Sequence, residues 1–133
     1  MKSHSITERV RWSDVDAAGI IFYGAYIRFF EIAETELFRA AGLSYRVMYD
    51  ELGVWLPRVH LECDFKRPAQ LDDELEVTAR VVKLGTTSLG LEFEVRTPGA
   101  EPLIARAAFT LVAVDRVTFE KVNLPQELTQ RLQ

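Results

Sequence analysis

Apolar and polar residues follow two different periods along this chain, and the changes of period divide it into elements. From Ser5 to Trp12 the classes roughly alternate, with Ile6, Val10 and Trp12 against Thr7, Arg9 and Arg11 and Glu8 breaking the rule, so a strand is predicted there. Turn-forming residues fill Asp14 to Gly19. Beyond Gly24 the period becomes helical: Tyr26, Phe29, Phe30, Ala33, Leu37 and Phe38 form one stripe opposite Arg28, Glu31, Glu34, Thr35 and Arg39. This predicts one long helix ending at Gly42, with an aromatic stripe wide enough to lie against a large sheet. Ser44 is placed to cap a short second helix closed by Gly53.

After Pro57 the alternation is strict, with Val59, Leu61, Cys63 and Phe65 on one side and Arg58, His60, Glu62, Asp64 and Lys66 on the other. Two further runs repeat it, Leu75 to Val81 and Leu89 to Val95. Leu103 to Val114 is longer and apolar on both sides, which suits a central strand or one covered by a second subunit. Turn residues separate these runs at Pro68 to Asp73, at Gly85 and at Pro98-Gly99. Leu124 to Leu132 reads as a short, peripheral helix. Short connections make the strands antiparallel neighbours, so the fold class is α+β: a long helix wrapped by a curved antiparallel sheet of about five strands. One helix cannot cover both faces and both edges of such a sheet, and self-association is expected.

Composition narrows the possibilities. A chain of 133 residues with 48% hydrophobic residues is one domain, 1–133, able to bury a core without disulfides or a structural metal. The single cysteine, Cys63, has no intramolecular partner, and no Cys/His ligand cluster exists; no metal and no cofactor are expected. The net charge of −4 argues against a nucleic-acid partner, although local basic spots remain free to hold a phosphorylated small molecule. The N-terminus has no apolar signal-peptide core, and the most apolar stretch, Ala17 to Phe30, is too short and too interrupted to span a bilayer. A cytoplasmic protein without integral membrane association is expected.

Chemistry concentrates in Asp14-Val15-Asp16-Ala17-Ala18-Gly19-Ile20-Ile21-Phe22-Tyr23-Gly24-Ala25-Tyr26. Carboxylates here precede a helix start, where unpaired backbone N–H groups and the positive dipole end favour a developing oxyanion. Read locally, Asp14 and Asp16 serve equally well as turn or capping residues, with Gly19 and Gly24 relaxing the backbone. The pattern Asp-x-Asp-x-x-Gly, an apolar pair, two mainly aromatic or His positions, then x-x-Tyr resembles the hotdog-fold thioesterases of the 4-hydroxybenzoyl-CoA thioesterase type, including the bacterial acyl-CoA thioesterases associated with the Tol–Pal cluster. Asp14, Asp16, Gly19, Ile20, Ile21, Phe22, Tyr23 and Tyr26 carry that resemblance, and the order of elements extends it over nearly the whole chain.

The resemblance implies the hotdog fold and hydrolysis of an acyl-CoA, with Asp16 as nucleophile or general base and the Tyr23 backbone N–H polarising the thioester carbonyl. Asp14 then orders the turn. Where the Tol–Pal-associated branch commonly has His and, two residues on, Asn, this chain has Tyr23 and Ala25. It also implies a homodimer, paired into a tetramer, with the site shared between subunits. Coenzyme A is part of the substrate and needs partners for its phosphates. Candidates near substrate are Gly19 and Gly24, the strand face Arg58, Val59 and His60, the pair Lys66-Arg67, and the polar hairpin corner Thr86, Thr87 and Ser88, all with ordinary readings as solvated residues. Glu31 and Glu34 are assigned to the polar side of the long helix, with Arg28 or Arg39 as ion-pair partners, and Cys63 is read as a buried small hydrophobe. Competing readings are a non-catalytic acyl- or CoA-binding hotdog module and a hotdog hydratase or dehydratase, which lacks its histidine in the motif region.

Overall fold

The computed structural model describes all residues from Met1 to Gln133. In chain order the elements are β1 (Ser3–Arg9), α1 (Tyr26–Ala40), α2 (Tyr45–Asp50), β2 (Val54–Trp55), β3 (Arg58–Phe65), β4 (Glu74–Leu84), β5 (Ser88–Arg96), β6 (Leu103–Val112), β7 (Val114–Asp115) and α3 (Gln126–Leu132). Short 3₁₀ turns at Trp12–Asp14 and Tyr23–Ala25 lead into α1. The five long strands form one antiparallel sheet in the order β1-β4-β5-β6-β3, while β2 and β7 make a small separate ribbon.

The sheet curves around α1, whose inward stripe of Tyr26, Phe29, Phe30, Ala33, Leu37 and Phe38 is buried. It packs on Leu75, Val77, Ala79 and Val81 of β4, Leu89, Leu91, Phe93 and Val95 of β5, and Phe109 of β6. Phe30, Phe93 and Phe109 form an aromatic cluster with ring centroids 4.8 to 5.7 Å apart. Each fully buried Phe or Leu contributes about 1.5–3 kcal/mol, so this stripe fixes the helix on the sheet. The helix stops where Gly42 adopts φ 75°, with Leu43 N–H donating back to Phe38 O at 2.8 Å, a closure only a residue tolerant of left-handed backbone allows. The opposite face of the sheet is polar, carrying Arg96 on Glu94 and Arg106 on Glu92 at 2.7 and 2.8 Å.

Two expectations change. The apolar side of β3 is not covered: Val59, Leu61 and Phe65 are exposed and Cys63 is only half-buried, because β3 is an edge strand and the backbone of α1 runs nearest β1 and β4, toward the other edge. The C-terminal helix is not peripheral, since Leu128 and Leu132 are fully buried. β6, flanked by β5 and β3, is an interior strand, as its apolar character on both sides predicts.

Candidate active site

The segment from Val10 to Tyr23 is held by Asp14, which is only 3% exposed. Its Oδ2 accepts from Arg11 N–H at 2.8 Å and from Arg28 Nη2 at 2.5 Å, and its Oδ1 accepts from Arg28 Nε at 3.0 Å. Arg28 also reaches Glu8 Oε2 at 3.1 Å, so the residue that broke the alternation of β1 is an ion-pair partner under the loop. Burial pushes the Asp14 carboxyl upward, but the Arg28 and Arg11 hydrogen bonds and charges outweigh it and leave it below its ordinary value. The same Asp14 raises the Arg28 guanidinium. Asp14 therefore orders the loop, with both carboxylate oxygens engaged by the protein.

Asp16 is positioned differently. The loop doubles back on itself through the Val15–Ile21 bridge and Asp16 N–H to Ile20 O at 3.1 Å, and Gly19 closes the tip at φ 79° with its N–H on Asp16 O. The returning arm is tied to the 69–71 turn by Ile21 N–H to Ala69 O at 2.8 Å. This leaves the Asp16 side chain exposed, with Oδ1 accepting from Ala18 N–H at 2.9 Å, on the wall of a cleft of about 430 Å³ shared with Trp12, Val15, Ala17, Gly19 and Leu71. Beyond the returning arm, Phe22 N–H bonds Asp14 O and Ala25 N–H bonds Phe22 O, while the intervening Tyr23 N–H meets no acceptor in these turns. The Tyr23 side chain is 80% exposed. An exposed carboxylate in the doubled loop and an unspent amide in the turn that leads into α1 thus lie seven residues apart along one stretch of chain.

The remaining nominated residues fall into two groups. Lys66 and Arg67 are exposed near the Asp16 loop, with Arg67 donating to the carbonyls of Pro102 and Leu103 at 3.1 and 3.4 Å. Thr86, Thr87 and Ser88 lie at the other end of the sheet beside Arg58, Val59 and His60, as the Ser88–Val112 and Arg58–Leu111 registers require. The length of β3, roughly 23 Å, separates the ends, so one chain does not bring the groups together. No three His, Cys, Asp or Glu side chains cluster as a metal site, and no helix is long and apolar enough to cross a membrane.

A second cavity, of about 690 Å³, opens at the Arg58 end between α1, α2 and the β2–β7 ribbon. Here the assignment of Glu34 is corrected. Glu34 is 1% exposed and its Oε2 meets both Arg58 Nη2 and the Tyr45 hydroxyl, not Arg28 or Arg39. The signal was present in the sequence: Glu34 lies four residues after Phe30 and four before Phe38, on the buried stripe. Arg58 alternates outward on an edge strand, and its turn back onto Glu34 follows from the irregularity between Arg58 and His60, which no local pattern announces. Burial pulls the Arg58 guanidinium down, opposed by the Glu31 charge, and burial raises the Tyr45 phenol.

Comparison with known proteins fits this geometry. Residues 10–132 match the thioesterase-like superfamily. The chain is 31% identical over 121 residues to the acyl-CoA thioester hydrolase YbgC of Escherichia coli, covering 90% of this chain and 88% of that protein. It is 28% identical over 131 residues to a 1,4-dihydroxy-2-naphthoyl-CoA hydrolase of Nostoc punctiforme, covering 98% and 87%. A 4-hydroxybenzoyl-CoA thioesterase variant crystallised with 4-hydroxybenzoyl-CoA superposes with a TM-score of 0.89 at 24% identity, over 100% of both chains. With its helix cradled by a five-stranded antiparallel sheet and its family match running almost from end to end, the chain belongs to the thioesterase-like superfamily and has the hotdog fold.

Proposed function

We propose that the protein is an acyl-CoA thioesterase, releasing a carboxylic acid and free CoA. What supports this reading is the doubled loop that presents the Asp16 carboxylate on the wall of a cleft, with the Tyr23 N–H, which meets no acceptor in the surrounding turns, following within the same short stretch of chain. Asp16 attacks the thioester carbonyl to give a mixed anhydride that water then hydrolyses, or it takes a proton from the attacking water. In either route the carbonyl oxygen gains charge, the Tyr23 N–H stabilises it, and the carbon–sulfur bond breaks to release CoA thiolate, which takes a proton from solvent. The acyl-CoA hydrolases among its relatives support CoA as the thiol.

Self-association completes the site. The free edge β3, with Val59, Leu61 and Phe65 exposed, is the surface that a second copy pairs. A two-fold axis forces identical edges to run antiparallel, which carries the Arg58 end of one subunit to the Lys66 and Asp16 end of its partner. The two groups of candidate residues, Lys66 and Arg67 with Thr86, Thr87 and Ser88, then meet around one CoA. The proposal is completed by a homodimer that pairs further into a tetramer and works in the cytoplasm.

The test is a panel of short, long and aromatic acyl-CoA substrates read with a thiol reagent. Asp16→Asn is expected to lower turnover by ~100-fold or more with CoA affinity nearly unchanged, the signature of a transition-state role. Full activity in that variant removes Asp16 from the chemistry; no thiol release from any substrate by the wild type favours a binding module.

A further inference from the structure

The chemistry proposed above needs the Asp16 carboxylate and the Tyr23 N–H at a fixed separation, yet neither group is itself held from outside. The Asp16 side chain is exposed and accepts Ala18 N–H, a partner within its own loop. Its place is therefore set by the loop backbone. That backbone is fastened through Asp14, which touches both arms of the loop. Its carbonyl accepts Phe22 N–H at 3.1 Å on the returning arm, directly before Tyr23, and its carboxylate on the outgoing arm is gripped by Arg28. Arg28 stands in the first turn of α1, the helix that the returning arm enters.

The grip is a planar fork with further ties behind it. Nε and Nη2 donate to the two Asp14 oxygens at 3.0 and 2.5 Å, Nη2 also reaches Arg9 O at 3.2 Å, and Nη1 reaches Glu8 Oε2 at 3.1 Å. The guanidinium carbon lies 4.5 Å from the centroid of the Phe29 ring, a side chain locked in the core. With Nε, both hydrogens of Nη2 and one of Nη1 spent, a single N–H is left over, so the group has little to offer a substrate. Building on the thioesterase reading, we propose that Arg28 is a positioning residue for that reaction: its fork locks the end of β1 and the outgoing arm onto α1, and so sets the separation between the Asp16 carboxylate and the Tyr23 N–H. A planar fork fixes orientation as well as distance, which a point charge such as an ammonium does not. Misplacing a reacting group by about 1 Å costs up to ~100-fold in rate.

Arg28→Lys keeps a cation beside the buried Asp14 and loses the fork. Thiol release is expected to show kcat lower by ~30-fold or more with KM within ~3-fold, whereas a merely structural role lowers the folded fraction in urea and spares the rate of folded molecules. Amide exchange followed by NMR supplies a readout without substrate. The Asp16 and Phe22 amides, both bonded across the loop, are expected to gain ~10-fold more in exchange rate than Leu91 and Phe93 of β5. A kcat within threefold of wild type, a loss carried by KM, or exchange that rises equally in loop and sheet overturns the proposal. Should the lysine variant not fold, Glu8→Ala decides, because it withdraws the support behind Arg28 and leaves Asp14 bonded: kcat is expected to fall ~5-fold, and an unchanged kcat overturns the role. Selectively faster loop exchange in a wild type and variant that release no thiol overturns the thioesterase reading and keeps the clamp; thiol release with kcat unaltered in Arg28→Lys does the reverse.

Discussion

Tyr23→Pro isolates the oxyanion donor from everything else Tyr23 does. Proline removes one N–H, and here that N–H meets no acceptor in the surrounding turns, so no hydrogen bond of the fold is lost. Tyr23 opens a 3₁₀ turn, and its predecessor Phe22 is extended at φ −86° and ψ 155°. Proline fits the first position of such a turn and tolerates an extended predecessor. The side chain is 80% exposed, so removing it forfeits little burial. The stability change is therefore within about 0.5 kcal/mol, as for ordinary surface substitutions. Loss of one preorganised donor to the oxyanion raises the barrier by about 3 kcal/mol, or ~150-fold in kcat. Thiol release under saturating acyl-CoA measures the rate, urea unfolding confirms the fold, and Tyr23→Ala controls for the side chain. A folded Tyr23→Pro variant with a rate within threefold of Tyr23→Ala refutes the role of this amide.

Asp14→Asn keeps the shape of the hub but removes its charge, and is expected to lose about 2 kcal/mol, lowering the urea midpoint by about 1 M. The folded Asp14 carboxyl lies below its ordinary 3.8, so its stabilisation is complete above that value and is lost as pH falls through the lower folded value. The wild type must therefore lose its advantage over Asp14→Asn on acidification below pH 4; a constant gap contradicts the assignment. The Val59→Lys, Leu61→Lys pair places charges on the free edge and is expected to give a monomeric mass in sedimentation at micromolar concentration; an unchanged assembly rules out β3 pairing. Burial raises the Cys63 thiol above its ordinary 9.0, with the Asp64 charge adding to it, so less thiolate is present at pH 8 and a disulfide reagent should react more slowly than with free cysteine. Equal rates show that this environment does not suppress the thiol.

Which chemistry was legible in the sequence depended on how local its cause is. The loop carrying Asp16 and Tyr23 is made by neighbours: turn residues, a glycine at φ 79° and a helix start all lie within one short stretch. Glu34 shows the opposite case. Its helical phase placed it on the buried stripe, but a carboxylate counts as polar in any pattern, and the partners that make its burial tolerable, Arg58 and Tyr45, come from β3 and α2. Cys63, expected to be buried, is only half-buried for a related reason, because alternation reports which side a residue faces and not whether anything covers that side.

By itself the sequence determined the order of the principal elements, the α+β class and the turn between Asp14 and Gly19, since these follow from periodicity and turn chemistry within a few residues. Only the tertiary structure decided that β3 is a free edge, that the candidate residues separate to the two ends of one chain, and that an apolar chamber carries an arginine between two glutamates. Those outcomes depend on strand order and on long-range packing, which bring together residues that no local period relates.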